Sequence, residues 1–215
     1  MKSTTRSIPV HSPRRVIIVH GYRACPDDHW FPWLRDTLSA DGVDVNVVTL
    51  PTPEEPDAAE WHSAVAEALG APDASTWVVA HSLGAITALR VLASLSQPWT
   101  LGGLVLVSGF TGALAAIPEL DAYLADDVDA EAIGQHISVR VVMRSDADSL
   151  VPPAASDALA LRLGAELHIE PGAGHFLAAD GVTTLRPVVD WMRAGVASAA
   201  TASSRPRRLR ESTHC

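Results

Sequence analysis

Short runs of β-branched and aliphatic residues alternate with longer segments of helical period along most of the chain, and this alternation restricts the fold more than any other feature. The runs are Arg15–His20, Asp44–Leu50, Thr76–Ala80, Leu104–Ser108, Val139–Arg144 and Glu166–Glu170. They lack polar alternation and so read as buried parallel strands. Helical period lies between them, near Trp30–Ala40, Asp57–Gly70, Ala85–Ser96, Leu120–Gln135, Ala154–Leu163 and Val182–Val196. A β-α unit repeated six times predicts an α/β class fold: a doubly wound, mostly parallel six-stranded sheet with right-handed crossovers and helices on both faces. Ligands of such sheets bind outside the carboxyl ends of the strands, so the loops there are where chemistry is sought.

At 215 residues one domain is expected, over 15–196, preceded by an extension, 1–14, and followed by a flexible basic tail, 197–215, that holds Arg205, Arg207, Arg208 and Arg210. The connection from Gly109 to Ile137 is about ten residues longer than a helix and two short loops require, room for a small flap but not a cap domain. With 47% hydrophobic and 19% charged residues the chain is too apolar to be natively unfolded. Its net charge of −9 repels phosphate backbones and anionic lipid, so neither nucleic acid nor membrane is an expected partner. Two cysteines, Cys25 and Cys215, make no disulfide framework and fit a reducing compartment. The apolar run Val16–Val19 is shorter than the roughly 7–15 residues of a secretory core, and no stretch reaches the roughly 20 of a membrane span. A cytoplasmic location is therefore expected.

The third run ends in Ala80-His81-Ser82-Leu83-Gly84 and passes at once into a helical pattern. This resembles the G-x-S-x-G nucleophile elbow, a strained strand-to-helix turn that requires small residues two before and two after the serine. Ala80 replaces the first glycine and is still small. Ser82 would then stand at a helix N-terminus, where the macrodipole favours developing negative charge. The alternative is a serine that only caps the helix.

A serine hydroxyl needs a base, and the base an orienting acid. On the α/β-hydrolase fold they follow in the order Ser, Asp/Glu, His, each on a loop after a strand. Here the fifth run leads into Asp146-Ala147-Asp148 with Val151-Pro152, and the sixth into Gly172-Ala173-Gly174-His175-Phe176. The register of Asp148 with Val151 and Pro152 is the one such hydrolases show, which makes Asp148 the expected acid and Asp146 a loop residue. His175, among glycines that suit a tight loop, is the expected base. Oxyanion donors are expected from the Leu83 amide, next to the nucleophile, and from Tyr22 in the turn after the first strand. His81 is the variable residue of the elbow, His20 belongs to the turn, and His62, His136 and His168 occur singly. No metal-ligand spacing appears, so neither metal nor cofactor is expected.

Together these pieces resemble the small serine hydrolases related to retinoblastoma-binding protein 9, over residues 16 to about 193. His20-Gly21 with Pro26, His29-Trp30 and Pro32-Trp33-Leu34 downstream, the Ser82 elbow, Asp148 with Val151-Pro152, and Gly174-His175-Phe176 carry the likeness. It implies a lidless α/β-hydrolase domain, a Ser82, Asp148 and His175 triad, and hydrolysis of small esters or short amides. Trp30, Phe176 and Phe110 are expected around the substrate, with Trp33 in the core of the first helix. Asp121, Asp126, Asp127 and Asp129 predict an acidic rim that disfavours anionic substrates. The expected partner is a small acyl substrate, and the chain a monomer or homodimer. A serine aminopeptidase or thioesterase with the same triad, or a non-catalytic binding protein on the same fold, are the alternatives.

Overall fold

The computed structural model describes residues 12–96 and 98–193. The extension apart from residues 12–14, the end of the last expected helix and the basic tail lie outside the described residues. Six strands, β1 (Arg15–Val19), β2 (Asp44–Val47), β3 (Thr76–His81), β4 (Leu101–Val107), β5 (Ile137–Ser145) and β6 (Glu166–Glu170), form one sheet in the order β2-β1-β3-β4-β5-β6. Every neighbouring pair is parallel. The chain steps from β1 outward to β2 and then crosses back to β3, so the strand order reverses between β1 and β3. A crevice opens at the carboxyl ends there, the usual place for a ligand in an open α/β sheet.

Side chains alternate through the sheet into two cores. Ile17 and Val19 of β1, with Val78 and Ala80 of β3, pack under α2 (Ala58–Leu69), α3 (Leu83–Ser94) and α5 (Pro153–Leu163). Val16, Ile18 and Val79 face the other way, under α1 (Phe31–Ala40) and the terminal helix at 186–193. Local sequence sets each helix. Phe31, Leu34 and Leu38 make one buried stripe on α1, which has Pro32 in its first turn. The Asp57 carboxylate caps α2 by accepting from the Ala59 and Glu60 amides, both at 2.9 Å, and Trp61, Val65 and Leu69 form its buried face.

The expected alternation of elements holds, with four departures. Strands β3 and β4 are buried at every residue, whereas β2 and β6 are half-exposed edges with alternating burial, not the buried runs expected. β4 begins at Leu101 because Gly102 and Gly103 continue the strand against the Trp77 ring, which a Cβ on Gly103 would overlap. The helix expected over Leu120–Gln135 is instead a 3-10 turn at Pro118–Leu120 and a short helix, α4 (Ala130–Gly134). Asp129 restarts the helix by capping α4, accepting from the Ala132 amide at 3.0 Å, and so divides the segment. Trp33 is only partly buried, while Trp30 is fully buried in the core.

The segment between β4 and α4 is the small flap expected, and it is fastened down. The Tyr123 hydroxyl meets Thr87 Oγ1 on α3 at 2.6 Å, and Arg162 on α5 pairs with Asp127 at 3.0 Å. Burial pushes the Tyr123 phenol up to about 12, so it stays protonated.

Candidate active site

Ser82 joins β3 to α3 with a backbone φ of 53° and ψ of −123°. That conformation costs a non-glycine residue roughly 1–3 kcal/mol and persists only where the surroundings fix it. Here the Ser82 amide donates to the Val107 carbonyl and the Ala85 amide donates to the Ser82 carbonyl, both at 2.9 Å. The small-residue requirement is steric. A Cβ on Gly84 would lie 2.7 Å from the Val19 carbonyl oxygen, with the His20 carbonyl nearer still. Ala80 is fully buried and fits where the elbow pattern has its first glycine. The Ser82 hydroxyl makes no capping hydrogen bond to α3, contrary to the simple-cap alternative. The Leu83 N–H, in the first turn of α3, belongs to the amides that a helix cannot itself satisfy.

The loops after β3, β5 and β6 bring three side chains into one line. The Ser82 hydroxyl lies 3.0 Å from His175 Nε2, and His175 Nδ1 lies 2.8 Å from Asp148 Oδ2. Asp148 accepts four hydrogen bonds: from His175 Nδ1–H, from the Ser108 hydroxyl at 2.8 Å, and from the Leu150 and Val151 amides at 2.9 and 3.0 Å. Burial opposes its charge, but the His175 hydrogen bond and charge together with the two amides outweigh that and hold the carboxyl below its ordinary range. A carboxylate so held fixes the proton on Nδ1 and leaves Nε2 free to accept from Ser82. Asp146 does not reach His175 and instead accepts from the Gly172 amide at 2.8 Å, tying the two loops together.

Four supporting residues were not found by sequence reasoning. Ser108, buried at the end of β4 with φ 46°, is one. Asp180 Oδ2 accepts from the His175 amide at 2.8 Å and the Leu177 amide at 3.1 Å. Gly174 must be glycine for this, because its φ is 56° and a Cβ would collide with the Asp180 carboxylate. His81 is buried beside His175, ring centroids 5.0 Å apart, and its Nε2–H donates to the His175 carbonyl at 2.9 Å. Burial first, then the nearness of His175, keeps His81 neutral well below the ordinary histidine value. His29, noted only as part of the resemblance, is the fourth.

A cavity of about 250 Å³ opens over Ser82 and His175, below the roughly 300–1,000 Å³ of common ligand pockets. Tyr22, Arg23 and His29 line it, and Ile117, Leu150 and Leu177 supply apolar wall. The expected substrate residues Trp30, Phe110 and Phe176 do not line it. All three are fully buried in the cores, their aromatic bulk drawn under the sheet's helices rather than toward the cavity. The expected acidic rim does not form either: Asp127 pairs with Arg162, Asp129 caps α4, and no carboxylate lines the cavity. Among the described residues no three His, Cys, Asp or Glu side chains converge as metal ligands do. No helix among them is long and apolar enough to cross a membrane.

The parallel sheet and its elbow define an α/β-hydrolase fold. Residues 16–193 match the serine hydrolase family, and the chain belongs to it. It is 37% identical over 177 residues to the YdeN protein of Bacillus subtilis (strain 168), spanning 82% of this chain and 93% of that one. The crystal structure of the B. subtilis ydeN gene product superposes with a TM-score of 0.82 at 36% identity, covering 86% of this chain and 99% of the other. A YdeN-like protein of Pectobacterium atrosepticum shares the fold at 18% identity and a TM-score of 0.64, over 86% and 92% of the two chains. Est1E of Butyrivibrio proteoclasticus shares it at 16% identity and 0.62, over 88% and 90%.

Proposed function

We propose that the protein hydrolyses small carboxylic esters through an acyl-enzyme formed on Ser82. The Ser82–His175–Asp148 line, with hydrogen bonds of 3.0 and 2.8 Å, is the observation that carries this reading. The Ser82 hydroxyl attacks the substrate carbonyl carbon while His175 Nε2 takes its proton. The Leu83 and Tyr22 amides face the oxyanion as charge develops. His175 then returns the proton to the departing alkoxide as the C–O bond breaks, leaving the acyl group on Ser82. Water, deprotonated by His175, attacks that ester, and His175 returns the proton to Ser82 Oγ as the bond to it breaks and the carboxylic acid leaves. Asp148 stays ionised throughout, holding the imidazole and balancing its charge.

The small cavity supports short acyl groups over long chains. The likeness to retinoblastoma-binding protein 9 relatives belongs to the same reading, and so do action in the cytoplasm and a small acyl compound as the partner. The test compares kcat/KM for p-nitrophenyl esters of two to eight carbons with aminoacyl p-nitroanilides, in the wild type and in Ser82→Ala. Short esters are the expected preferred substrates, with kcat lower by roughly 10⁴–10⁶ in Ser82→Ala. Turnover in Ser82→Ala within a few-fold of wild type rejects the mechanism, and a preference for the anilides rejects the esterase assignment.

A further inference from the structure

His29 sits in the turn before α1 with a φ of 54°, a left-handed conformation uncommon outside glycine that histidine, like asparagine and aspartate, adopts more readily than other side chains. The ring is fixed. The Ala178 amide donates to His29 Nδ1 at 3.2 Å, and an amide N–H can only donate, so in the neutral ring the proton is on Nε2. Among the described residues nothing accepts from that Nε2–H. Its edge contacts with Phe31 and His81, at 5.5 and 6.0 Å between centroids, seat the ring beside the elbow. Burial holds His29 below the ordinary histidine value, with His175 adding to the effect and Asp28 and Asp180 opposing it. The ring lines the same cavity as Ser82, along with Ile117, Leu150 and Leu177. A lone oriented donor in such a cavity selects for an acceptor, because a ligand lacking one leaves the donor unpaired.

We propose that His29 determines specificity, its Nε2–H donating to a substrate oxygen other than that of the scissile carbonyl. The preferred substrates are then short esters with an ether, hydroxyl or carbonyl oxygen in the chain, rather than plain hydrocarbon acyl esters. This rests on the hydrolase reading of Ser82. The absence of carboxylates from the cavity lining agrees with an acceptor-bearing substrate.

The test uses two matched pairs of p-nitrophenyl esters, methoxyacetate with butanoate and 3-methoxypropanoate with pentanoate. The oxygen alters intrinsic reactivity, so the readout is how the kcat/KM ratio within a pair changes between proteins. His29→Asn keeps an acceptor for the Ala178 amide where Nδ1 stood, tolerates the positive φ and lacks the distal donor. His29→Gln carries a donor near the Nε2 position and loses the Nδ1 acceptor. In at least one pair the wild-type preference for the oxygen-bearing ester should fall about tenfold in His29→Asn, and His29→Gln should keep at least a third of it. A residue that merely props up Ala178 gives the reverse pattern. Any result other than loss in His29→Asn with retention in His29→Gln overturns the inference. Fluorophosphonate labelling of Ser82 in each protein separates the two claims: an unlabelled wild type rejects the hydrolase reading and this inference with it, whereas normal labelling with an unchanged ratio rejects this inference alone.

Discussion

The centre of the sheet and its β6 edge hold their parts of the site by different means. Ser82 and Ser108 follow β3 and β4, strands buried at every residue, and their strained backbones are clamped by the ladder and by close packing such as Gly84 against β1. His175 follows β6, a half-exposed edge strand, and neighbouring side chains fix its loop. His81 donates to its carbonyl, Asp180 accepts from its amide, and Asp148 accepts from its ring. Packing positions Ser82, and hydrogen bonds position His175. Damage at the centre should therefore appear first as lost stability, and damage at the edge first as lost turnover.

Substitution at Gly84 gives the largest effect on the fold. Gly84→Ala drives a methyl against the backbone carbonyls of β1, which cannot move aside. It should cost about 3 kcal/mol and lower the melting temperature by roughly 5–12 °C. Asp180→Ala should give the opposite signature. Untying the His175 and Leu177 amides should cut kcat by roughly 10- to 100-fold, with a much smaller change in KM and melting within a few degrees of wild type. If Asp180→Ala destabilises as much as Gly84→Ala and leaves kcat intact, the division between centre and edge is wrong.

Acid should weaken the molecule through its buried and half-buried histidines. His20, His29 and His81 all have folded-state pKa values below the ordinary 6.5, so the unfolded chain binds more protons than the native state just under that pH. Their contribution is fully present above about pH 6.5 and is lost as pH falls toward the depressed native values. Asp148, also depressed, adds stability present above about pH 3.9 that is lost only at lower pH, so it plays no part in this limb. Thermal melts from pH 7.5 to 5 should fall in the wild type and fall less steeply in His81→Gln, which keeps a donor for the His175 carbonyl. Equal slopes would show that His81 is not the neutral buried group described above.

Ser108→Ala should have the smallest effect. Asp148 retains His175 and two amides, so kcat should drop less than about tenfold, as loss of one hydrogen bond implies. A loss a hundred times larger would make Ser108 a principal organiser of the acid loop.

The sheet was legible because each strand and helix carries its own period and its own stop signals. The line of Ser82, Asp148 and His175 was legible because each falls just after a strand, where the topology gathers them. The cavity was not. Trp30 and Phe176 are close in sequence to site residues, yet their side chains turn into the core, and this direction depends on tertiary packing that no local pattern encodes. Sequence pattern assigns to Trp33, one turn further on, the burial that belongs to Trp30. Asp180 and Ser108 act through hydrogen bonds to loops distant in sequence or to a backbone amide, and no spacing rule marks such partners. A signal did exist for His81 and His29: a histidine inside the elbow, and another after the first strand's loop. Neither could be weighed until the rings were seen around His175.

Mass spectrometry of the intact protein and its peptides after treatment with a fluorophosphonate tests the central claim most directly. One covalent adduct on the peptide bearing Ser82, abolished when His175 is replaced by alanine, is the predicted result. Modification confined to other side chains, or none at all with the protein folded, would contradict it.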